Sequence, residues 1–348
     1  MLSKNNYIFG LDTFGDIAID KQGKRMSHAA SIRQVVKEAV LADKLGVDVI
    51  ALGEHHRSEY AISSPETVLA GIATKTKNIK LASGVTVLSS DDPVRVFERF
   101  ATLDALSNGR AQVILGRGSF TESFPLFGYD LTDYEILFEE KIELFSKLLS
   151  EKPVTWEGKT RAALDAADVF PKTESGHLET LVGVGGSPQS IVRAAAYGFP
   201  VVLAIIGGSA SRFKPYVDLY ARAAKELGQK VHPMGMHSPG YIADTDEQAV
   251  NEAFPLFKEA MDAVGISRGW QPMTREHFEN EVNTGSMYVG SPETVAQKIA
   301  KSMRWLGVNR FDMVYGFGPV PAESRLRMIE LYATKVIPRV RELLNEKA

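Results

Sequence analysis

The feature that most constrains the fold is a regular alternation of short apolar runs with longer amphipathic stretches. Eight runs have the length and composition of buried strands: Tyr7–Phe14, Asp48–Glu54, Ile79–Leu88, Ala111–Gly116, Leu181–Gly185, Val201–Ile206, Val231–Ile242 and Arg310–Phe317. Near-continuous apolar strands that alternate with helices are typical of a parallel sheet covered by helices. The pattern therefore predicts a closed (β/α)8 barrel, with a doubly wound open sheet as the alternative.

Proline and glycine mark the ends of the predicted helices. Four prolines follow Ser or Asp and are expected in a capped first turn: Pro65, Pro93, Pro188 and Pro292. Four glycines follow Leu or Tyr just before a strand and are expected to end helices: Gly46, Gly198, Gly228 and Gly307. These signals support the same repeated unit of strand and helix.

The length allows either one barrel or two average domains. Two spacings exceed one helix plus its turns, at about Lys152–Thr180 after the fourth strand and at about Gly265–Met287 after the seventh. We expect a short hairpin near Val154–Trp156 in the first insertion and an active-site lid in the second. Because no linker or composition break is visible, a single domain over 1–348 is preferred.

Composition excludes several classes of function. The chain has no cysteine, so disulfides, thiolate catalysis and Cys-ligated metals are excluded. The net charge is −3 with no basic block, which gives no electrostatic basis for nucleic-acid binding. The longest apolar run, Val201–Ile206, is far below the roughly 20 residues that span a bilayer. We expect a cytoplasmic protein without membrane partners and without a metal site.

A polar cluster follows the second predicted strand. Side chains alternate along a strand, so Val49, Ala51 and His55 share one face while Ile50 and Leu52 share the other. The small residues of the first face predict that His55 points into the mouth of the barrel, where catalytic residues collect. His55 is a candidate general base or cofactor ligand, and a structural polar role is the alternative. His56 is expected to be structural.

Two glycine-containing strand ends are candidate anion sites. Gly116 leaves room for a ligand, and Arg117 is placed to bind a phosphate, with a surface ion pair as the alternative. Gly186, Ser187 and Ser190 lie where a loop opens a helix, and free N–H groups at a helix N-terminus bind anions. An ordinary capping serine is the alternative there.

Three weaker signals remain. Gly290-Ser-Pro-Glu-Thr294 repeats the loop-to-helix pattern and is interpreted as plain helix capping in preference to a second phosphate site. Gly84 in the middle of the third strand indicates a bulge or a flat ligand close to the backbone. Arg275, His277 and Glu279 are more consistent with a solvated loop than with a lid that reaches the substrate.

Taken together, these motifs resemble the bacterial luciferase-like flavin-dependent monooxygenases. The resemblance runs from about Phe9 to about Leu343 and is most specific over Asp92–Gly118. It implies a TIM barrel that binds FMN at its C-terminal mouth, usually as a homodimer. One departure concerns Gly116, which stands where luciferase has a reactive cysteine, so the luciferase reaction on aldehydes is not implied.

The resemblance carries over to particular residues. His55 matches the family's active-site histidine near the flavin. Gly84-Val85 matches a non-prolyl cis peptide behind the flavin ring. Arg117 matches the arginine that reaches the flavin phosphate, and the phosphate loop matches Gly186, Ser187 and Ser190.

The expected function is a flavin-dependent monooxygenase. Reduced FMN from a separate flavin reductase would react with O2 and oxygenate a small-molecule substrate under the second insertion. One alternative is hydride transfer by a related barrel that uses a deazaflavin. Another is a flavin-binding protein without catalysis. A sugar-phosphate barrel is less favoured, because no catalytic Lys or carboxylate pair is identified at the strand ends.

Overall fold

The computed structural model describes residues 7–345. These residues form twelve strands, β1 to β12, in this order: Ile8–Thr13, Val49–Leu52, Lys80–Ser83, Thr86–Val87, Ala111–Gly116, Val154–Trp156, Leu164–Ala167, Glu179–Val184, Val201–Ala204, Gly235–Ile242, Tyr288–Gly290 and Arg310–Val314. They also form twelve α-helices, α1 to α12, in this order: His28–Lys44, Pro65–Ala73, Pro93–Ser107, Ser123–Leu126, Tyr134–Leu148, Pro188–Ala196, Lys214–Glu226, Asp246–Arg268, Arg275–Asn283, Pro292–Leu306, Ala322–Leu331 and Ile337–Asn345.

Eight parallel strands close into a barrel. The path runs β1-β2-β3-β5-β8-β9, then β10 pairs with both β9 and β12, and β12 pairs with β1. This closure leaves no edge, so the predicted (β/α)8 barrel is confirmed and the open sheet is excluded. All eight predicted strands are present. The third is interrupted at Gly84-Val85, which separates β3 from β4.

The two faces of β2 pack as the alternation predicts. Ile50 and Leu52 belong to the large core between the barrel and its helices. Val49 and Ala51 lie inside the barrel, where they pack against Ala82. The register of β2 that places His55 at the mouth is therefore correct.

The barrel interior also holds a buried ionic layer. The Arg310 guanidinium lies 2.8 Å from a carboxylate oxygen of Asp312 and donates to Gln112 at 2.7 Å. Glycine makes this layer possible: a Cβ at Gly10 would lie 2.1 Å from Asp312 Oδ1, and one at Gly235 would lie 3.1 Å from the Arg310 side chain. Glycine at positions 10 and 235 thus leaves the space in which Arg310 and Asp312 pair.

Most predicted helix ends are confirmed. The four helix-ending glycines have positive φ values between 68° and 81°. Asp92 accepts hydrogen bonds from the first-turn amides of α3, and Ser187 accepts one from Ser190. The capping prediction is wrong for Ser64 and Ser291, whose side chains make no cap hydrogen bond.

The two insertions differ in structure. Strands β6 and β7 form an antiparallel hairpin in the first, as predicted. The second is more helical than expected, because α8 continues to Arg268 and α9 follows after a short turn. The helix that packs against α12 and α7 in the outer layer is α10, so α8 and α9 together form the α8–α9 insertion, residues 246–287. That the whole chain, 1–348, is one domain stays a prediction.

Within the described part of the chain, no helix is both long enough and apolar enough to cross a membrane.

Candidate active site

The predicted site residues gather at one end of the barrel, because parallel strands end together. His55 follows β2, Gly84-Val85 lies between β3 and β4, and Gly116 ends β5. The glycine-serine turn follows β8 and opens α6 at Pro188. All of them therefore lie at the C-terminal mouth, where (β/α)8 barrels carry their active sites.

His55 lies in an aromatic enclosure. Its ring stacks on Tyr60 with centroids 4.4 Å apart and meets the edges of Phe14 and Phe120 at 5.4 and 5.2 Å. Burial, with smaller contributions from His56 and Arg57, lowers the pKa of His55 to about 3. Its Nδ1 atom has no hydrogen-bond partner among the described residues. His55 is thus a neutral imidazole at neutral pH, with one ring nitrogen left for a ligand.

His56 has the structural role that was expected. Its Nε2 lies 3.0 Å from Oε1 of Glu54, whose Oε2 accepts a hydrogen bond of 2.8 Å from the amide of Val87. Glu54 thereby ties the end of β2 to β4. The sequence-based reading gave Glu54 no role, although alternation places it on the same face as His56.

The Gly84-Val85 peptide is cis, as the resemblance implied. A Cβ at Gly84 would lie 3.0 Å from the Ala51 Cβ and 3.2 Å from Asp12 Oδ2, so a side chain there would have to displace these neighbours. The peptide and the Glu54-bound amide of Val87 form a platform at the mouth.

Gly116 has a different role from the one predicted. A Cβ there would lie 2.4 Å from a methyl group of Val85, and one at Gly183 would lie 2.7 Å from the other methyl group. The space that was assigned to a ligand is therefore filled by Val85, which packs on the inner apolar residues Ile114 and Leu181. That interpretation of Gly116 is wrong, and the residue supports the platform instead.

Arg117 forms an ion pair, which was the alternative considered for it. Its Nη1 donates to Glu135 at 2.6 Å, and its guanidinium lies 5.3 Å from the ring centre of Tyr134. The second oxygen of Glu135 lies 3.4 Å from Arg193 on α6. The Glu135 side chain is 65% exposed, so an incoming anion can reach the carboxylate that it would replace. Arg117 is thus linked to the helix that the glycine-serine turn opens.

The glycine-serine turn before α6 has the geometry of an anion site. Gly186 has φ 118°, and its carbonyl oxygen accepts a hydrogen bond of 2.8 Å from the Tyr216 hydroxyl. Ser187 accepts from the Ser190 amide at 3.4 Å, so the predicted serine cap is present as well. No carboxylate of residues 7–345 is hydrogen-bonded to this turn in the described structure.

The second turn of this kind, before α10, holds an anion from the protein itself. The Asp246 carboxylate accepts hydrogen bonds from the Ser291 amide at 2.6 Å and the Thr294 hydroxyl at 2.9 Å. Burial favours the neutral acid, but these hydrogen bonds outweigh it and lower the pKa of Asp246. A second phosphate site at Gly290–Thr294 is therefore wrong, and Asp246 rather than Ser291 provides the cap.

The α8–α9 insertion reaches the mouth through aromatic rings. Phe257 of α8 lies 5.8 Å from Phe278 of α9 and 5.2 Å from Phe317, which lies 6.2 Å from Phe14 beside His55. The polar face of α9 does not take part: Arg275 pairs with Glu279 at 2.6 Å on the exposed side. This agrees with the solvated interpretation of these side chains.

Two inward-facing residues were missed by the sequence-based reading. Asp12 on β1 and His237 on β10 form a buried pair, with His237 Nδ1 at 2.7 Å from Asp12 Oδ2. The signal was available only in part, because alternation in β1 places Asp12 on the inner face with Gly10. Which distant strand supplies its partner is decided by the closure of the barrel.

A family model described as luciferase-like monooxygenase matches residues 13–310. A closed (β/α)8 barrel with its candidate site at the mouth is consistent with this match, and the chain belongs to the luciferase-like monooxygenase family. It is 26% identical over 247 residues to the alkanal monooxygenase alpha chain of Photorhabdus luminescens, with 68% of this chain and 65% of that protein covered. It is 26% identical over 306 residues to limonene 1,2-monooxygenase of Rhodococcus erythropolis, covering 85% and 78%. The relatives are thus oxidoreductases, and the chain spans less than two thirds of the alkanal monooxygenase.

Solved structures give the same fold. The monooxygenase RslO1 of Streptomyces bottropensis has a TM-score of 0.83 at 25% identity, with 95% of this chain and 99% of that chain covered. The oxygenating constituent of 3,6-diketocamphane monooxygenase from Pseudomonas putida, in complex with FMN, scores 0.76 at 21% identity, covering 96% and 99%. An F420-dependent secondary alcohol dehydrogenase scores 0.72 at 18% identity, covering 96% and 99%. The last two likenesses concern the fold alone.

Proposed function

We propose that the protein is an FMN-dependent monooxygenase that uses reduced flavin and O2 on a small organic substrate. The observation that carries this proposal is His55, a neutral imidazole with an unpartnered Nδ1 in an aromatic enclosure at the barrel mouth. A buried polar atom without a partner is costly and calls for an explanation. A flavin ring provides hydrogen-bonding atoms at its edge and an apolar face for the surrounding rings.

The residues present fit the parts of FMN. Gly84 and Val85 would support the ring, with Gly116 leaving space for the Val85 side chain. Arg117 together with the N-terminus of α6 at Gly186, Ser187 and Ser190 would hold the phosphate, since both favour an anion. This assignment requires Arg117 to exchange Glu135 for the phosphate.

Reduced FMN supplies the two electrons that activate O2. The protein's part is to bind, orient and exclude water. His55 would hold the flavin edge through Nδ1, and Glu54 fixes the platform through the amide of Val87. Phe14, Phe317 and Phe257 contact one another in sequence beside His55 and would help keep water from the reacting atoms.

A deazaflavin-dependent hydride transfer is the second candidate, since a structure with an F420 adduct has nearly the same fold similarity as the FMN complex. Titration of the purified protein with FMN and with a deazaflavin, followed by visible absorption, separates the two. Binding should perturb the visible absorption bands of FMN. If only the bands of the deazaflavin change, the hydride-transfer function replaces the monooxygenase proposal. No perturbation by either would contradict the cofactor assignment.

The variant Arg117→Ala tests the phosphate site. Loss of a charge-assisted hydrogen bond of about 1.5–3 kcal/mol should weaken FMN binding by roughly 10- to 100-fold. Arg222→Ala, an exposed arginine on α7, is the matched control and should leave the affinity unchanged. Equal affinities for Arg117→Ala and the unmodified protein would remove Arg117 from the site.

The separate flavin reductase, the homodimer that the resemblance implies and the cytoplasmic location expected from the sequence stay predictions. Oxygen consumption that depends on an added reductase and FMN tests the first, and sedimentation of the purified protein tests the second. Dependence of O2 uptake on a substrate would separate the monooxygenase from a flavin-binding protein without catalysis.

A further inference from the structure

The buried pair of Asp12 and His237 has no role in the flavin site described above. Asp12 is 2% exposed and His237 is 8% exposed, and the Nδ1 of the histidine lies 2.7 Å from Oδ2 of the carboxylate. A carboxylate accepts and does not donate, so Nδ1 carries the proton of this hydrogen bond. The tautomer is therefore set, and Nε2 is left as the functional nitrogen of the ring.

Both outer atoms of the pair are unsatisfied. Within residues 7–345, neither His237 Nε2 nor Asp12 Oδ1 has a hydrogen-bond partner. A histidine that serves only packing is not expected to leave a buried ring nitrogen unpaired. The pair thus has a buried ring nitrogen, Nε2, that is unsatisfied on the side away from Asp12.

The position of the pair relates it to the mouth. His237 is in register with Ala204, the last residue of β9, so it lies level with the end of the neighbouring strand. The ring of Phe14 lies 6.1 Å from His237 and 5.4 Å from His55, so one aromatic side chain contacts both histidines. Asp12 lies directly below Gly84, whose Cβ position is 3.2 Å from Oδ2.

The charges around His237 leave Asp12 as its partner. On the neighbouring strand β12, Asp312 faces the same interior, but Arg310 neutralises it at 2.8 Å. On β9 the residue in register is Ala204, which carries no charge. The interior therefore contains two neighbouring pairs, Arg310 with Asp312 and His237 with Asp12. Their charges interact: burial raises the pKa of Asp312, Arg310 opposes this, and Asp12 and His237 add smaller effects of opposite sign.

We propose that His237 is a catalytic acid–base residue of the barrel mouth and that Asp12 is its positioning residue. This inference rests on the proposed flavin function. Oxygenation by reduced flavin and O2 places one oxygen atom in the substrate and releases the other as water, and without a substrate both atoms depart together as hydrogen peroxide. In either case the departing oxygen takes up one proton. The proton on Nε2 of the imidazolium passes to that oxygen, and the neutral ring that remains keeps Nδ1–H on Asp12. Water restores the proton before the next turnover.

His55 is not suited to supply this proton. Burial lowers its pKa to about 3, so it carries no ionisable proton at neutral pH and acts as a neutral hydrogen-bonding group. Two histidines in contact with one phenylalanine then have distinct roles, since one orients the ligand and the other exchanges protons. Environments that differ in this way are how active sites separate such roles.

Nitrogen NMR of histidine-labelled protein tests the inference without a substrate. In the unmodified protein Nδ1 of His237 should be protonated in both the neutral and the imidazolium form, and FMN should shift its Nε2 signal. Asp12→Asn should redistribute the tautomer, because the amide replaces the charged acceptor. His237→Gln assigns the signal, and His177→Gln, an exposed histidine before β8, is the control that should leave it unmoved.

Kinetics provide the second measurement. His237→Gln should slow the reoxidation of protein-bound reduced FMN by O2 about 100-fold and remove one titration from its pH profile, because general acid catalysis contributes on this scale. FMN affinity should change less than about threefold, because the other anchors of the flavin remain. Circular dichroism confirms that the variants are folded.

The outcomes distinguish this inference from the proposed function. If FMN does not bind the unmodified protein, the proposed function fails and this inference fails with it. If FMN binds but the His237 nitrogen signals do not move and the pH profile of the variant is unchanged, only the role of His237 is overturned. If His237→Gln does not fold, Asp12→Asn, which keeps the histidine, assigns the signal through the change at Nδ1.

Discussion

Two turns in this barrel have almost the same sequence, but only one of them binds a carboxylate of the protein. Gly186-Ser187-Pro188 opens α6 and Gly290-Ser291-Pro292 opens α10. At the second turn the Asp246 carboxylate takes hydrogen bonds from the Ser291 amide and the Thr294 hydroxyl. At the first, the side chains in contact are the neutral Ser187 and Tyr216.

The difference shows that a helix N-terminus is a site only when the chain leaves it without an anion. Both turns present amide groups and the positive end of a helix dipole. Where the protein supplies its own carboxylate, the turn is structural. Where it does not, we propose that an external phosphate binds.

The largest effect should follow from making the first turn resemble the second. Gly185 has no atom within 4 Å of its Cβ position, so Gly185→Asp places a carboxylate near the α6 N-terminus without a clash. Repulsion of the phosphate should lower FMN affinity about 100-fold. Gly185→Asn has the same shape without the charge and should bind FMN nearly as well as the unmodified protein. Equal losses in both variants would indicate a steric effect and contradict the electrostatic explanation. Fluorescence quenching of FMN measures both.

The stability contributions of His55 at the mouth and of Asp246 at the second turn should respond differently to a fall in pH. His55 has its pKa lowered to about 3 in the folded protein, so the unfolded chain binds more protons below about pH 6.5 and stability falls as the pH falls. His55→Gln should remove roughly 2 kcal/mol of the stability difference between pH 7.5 and pH 5. Urea unfolding at the two pH values measures this, with His177→Gln as the control that keeps the full difference. An unchanged difference in His55→Gln would show that His55 is not the residue responsible.

Removing the Asp246 carboxylate from the second turn should lower the free energy of unfolding and leave FMN affinity unchanged. Asp246→Asn should lower the free energy of unfolding by about 1 kcal/mol, the usual value of a lost cap. The lowered pKa of Asp246 means that its contribution is present above the ordinary aspartate pKa and is lost only as the pH falls through the still lower folded value. Thermal unfolding at pH 7 therefore shows the full effect. A loss of FMN affinity in this variant would contradict the assignment of the turn as purely structural.

The smallest effect concerns Glu135, which holds Arg117 while no phosphate is bound. Glu135→Gln removes the competing carboxylate and should raise FMN affinity about threefold, because an exposed ion pair contributes little. Glu143→Gln, further along α5, is the control because Glu143 pairs with Lys147 and not with Arg117. Weaker binding in Glu135→Gln would show that Glu135 positions Arg117 instead of competing for it.

Local patterns predicted the strands and the face of β2 correctly, because alternation is a property of the strand itself. The resemblance predicted the cis Gly84-Val85 peptide, which no local pattern requires. The reason for Gly116 was wrong, since the side chain that fills its space belongs to Val85, between the neighbouring strands β3 and β4. A glycine in a sequence does not show which neighbouring atom fills the space that its missing side chain leaves.

The missed contacts are those between distant elements. Asp12 and His237 are 225 positions apart, and Asp246 and the Ser291 amide are 45 apart. Each residue type was visible in the sequence, but its partner is decided by closure of the barrel and by the path of α8. The same holds for Arg117, whose partner Glu135 depends on how α5 packs.

The attachment of Asp246 to the α10 turn has a consequence for how such proteins diversify. The α8–α9 insertion begins at the residue that pins the next helix of the barrel, so its root is fixed to the scaffold independently of its own sequence. Exposed positions of α8 and α9 can then vary without loosening this attachment. A library that keeps Asp246, Ser291, β11 and the ring contacts of Phe257 and Phe278, and varies the exposed positions between them, would test for new substrates on an unchanged barrel.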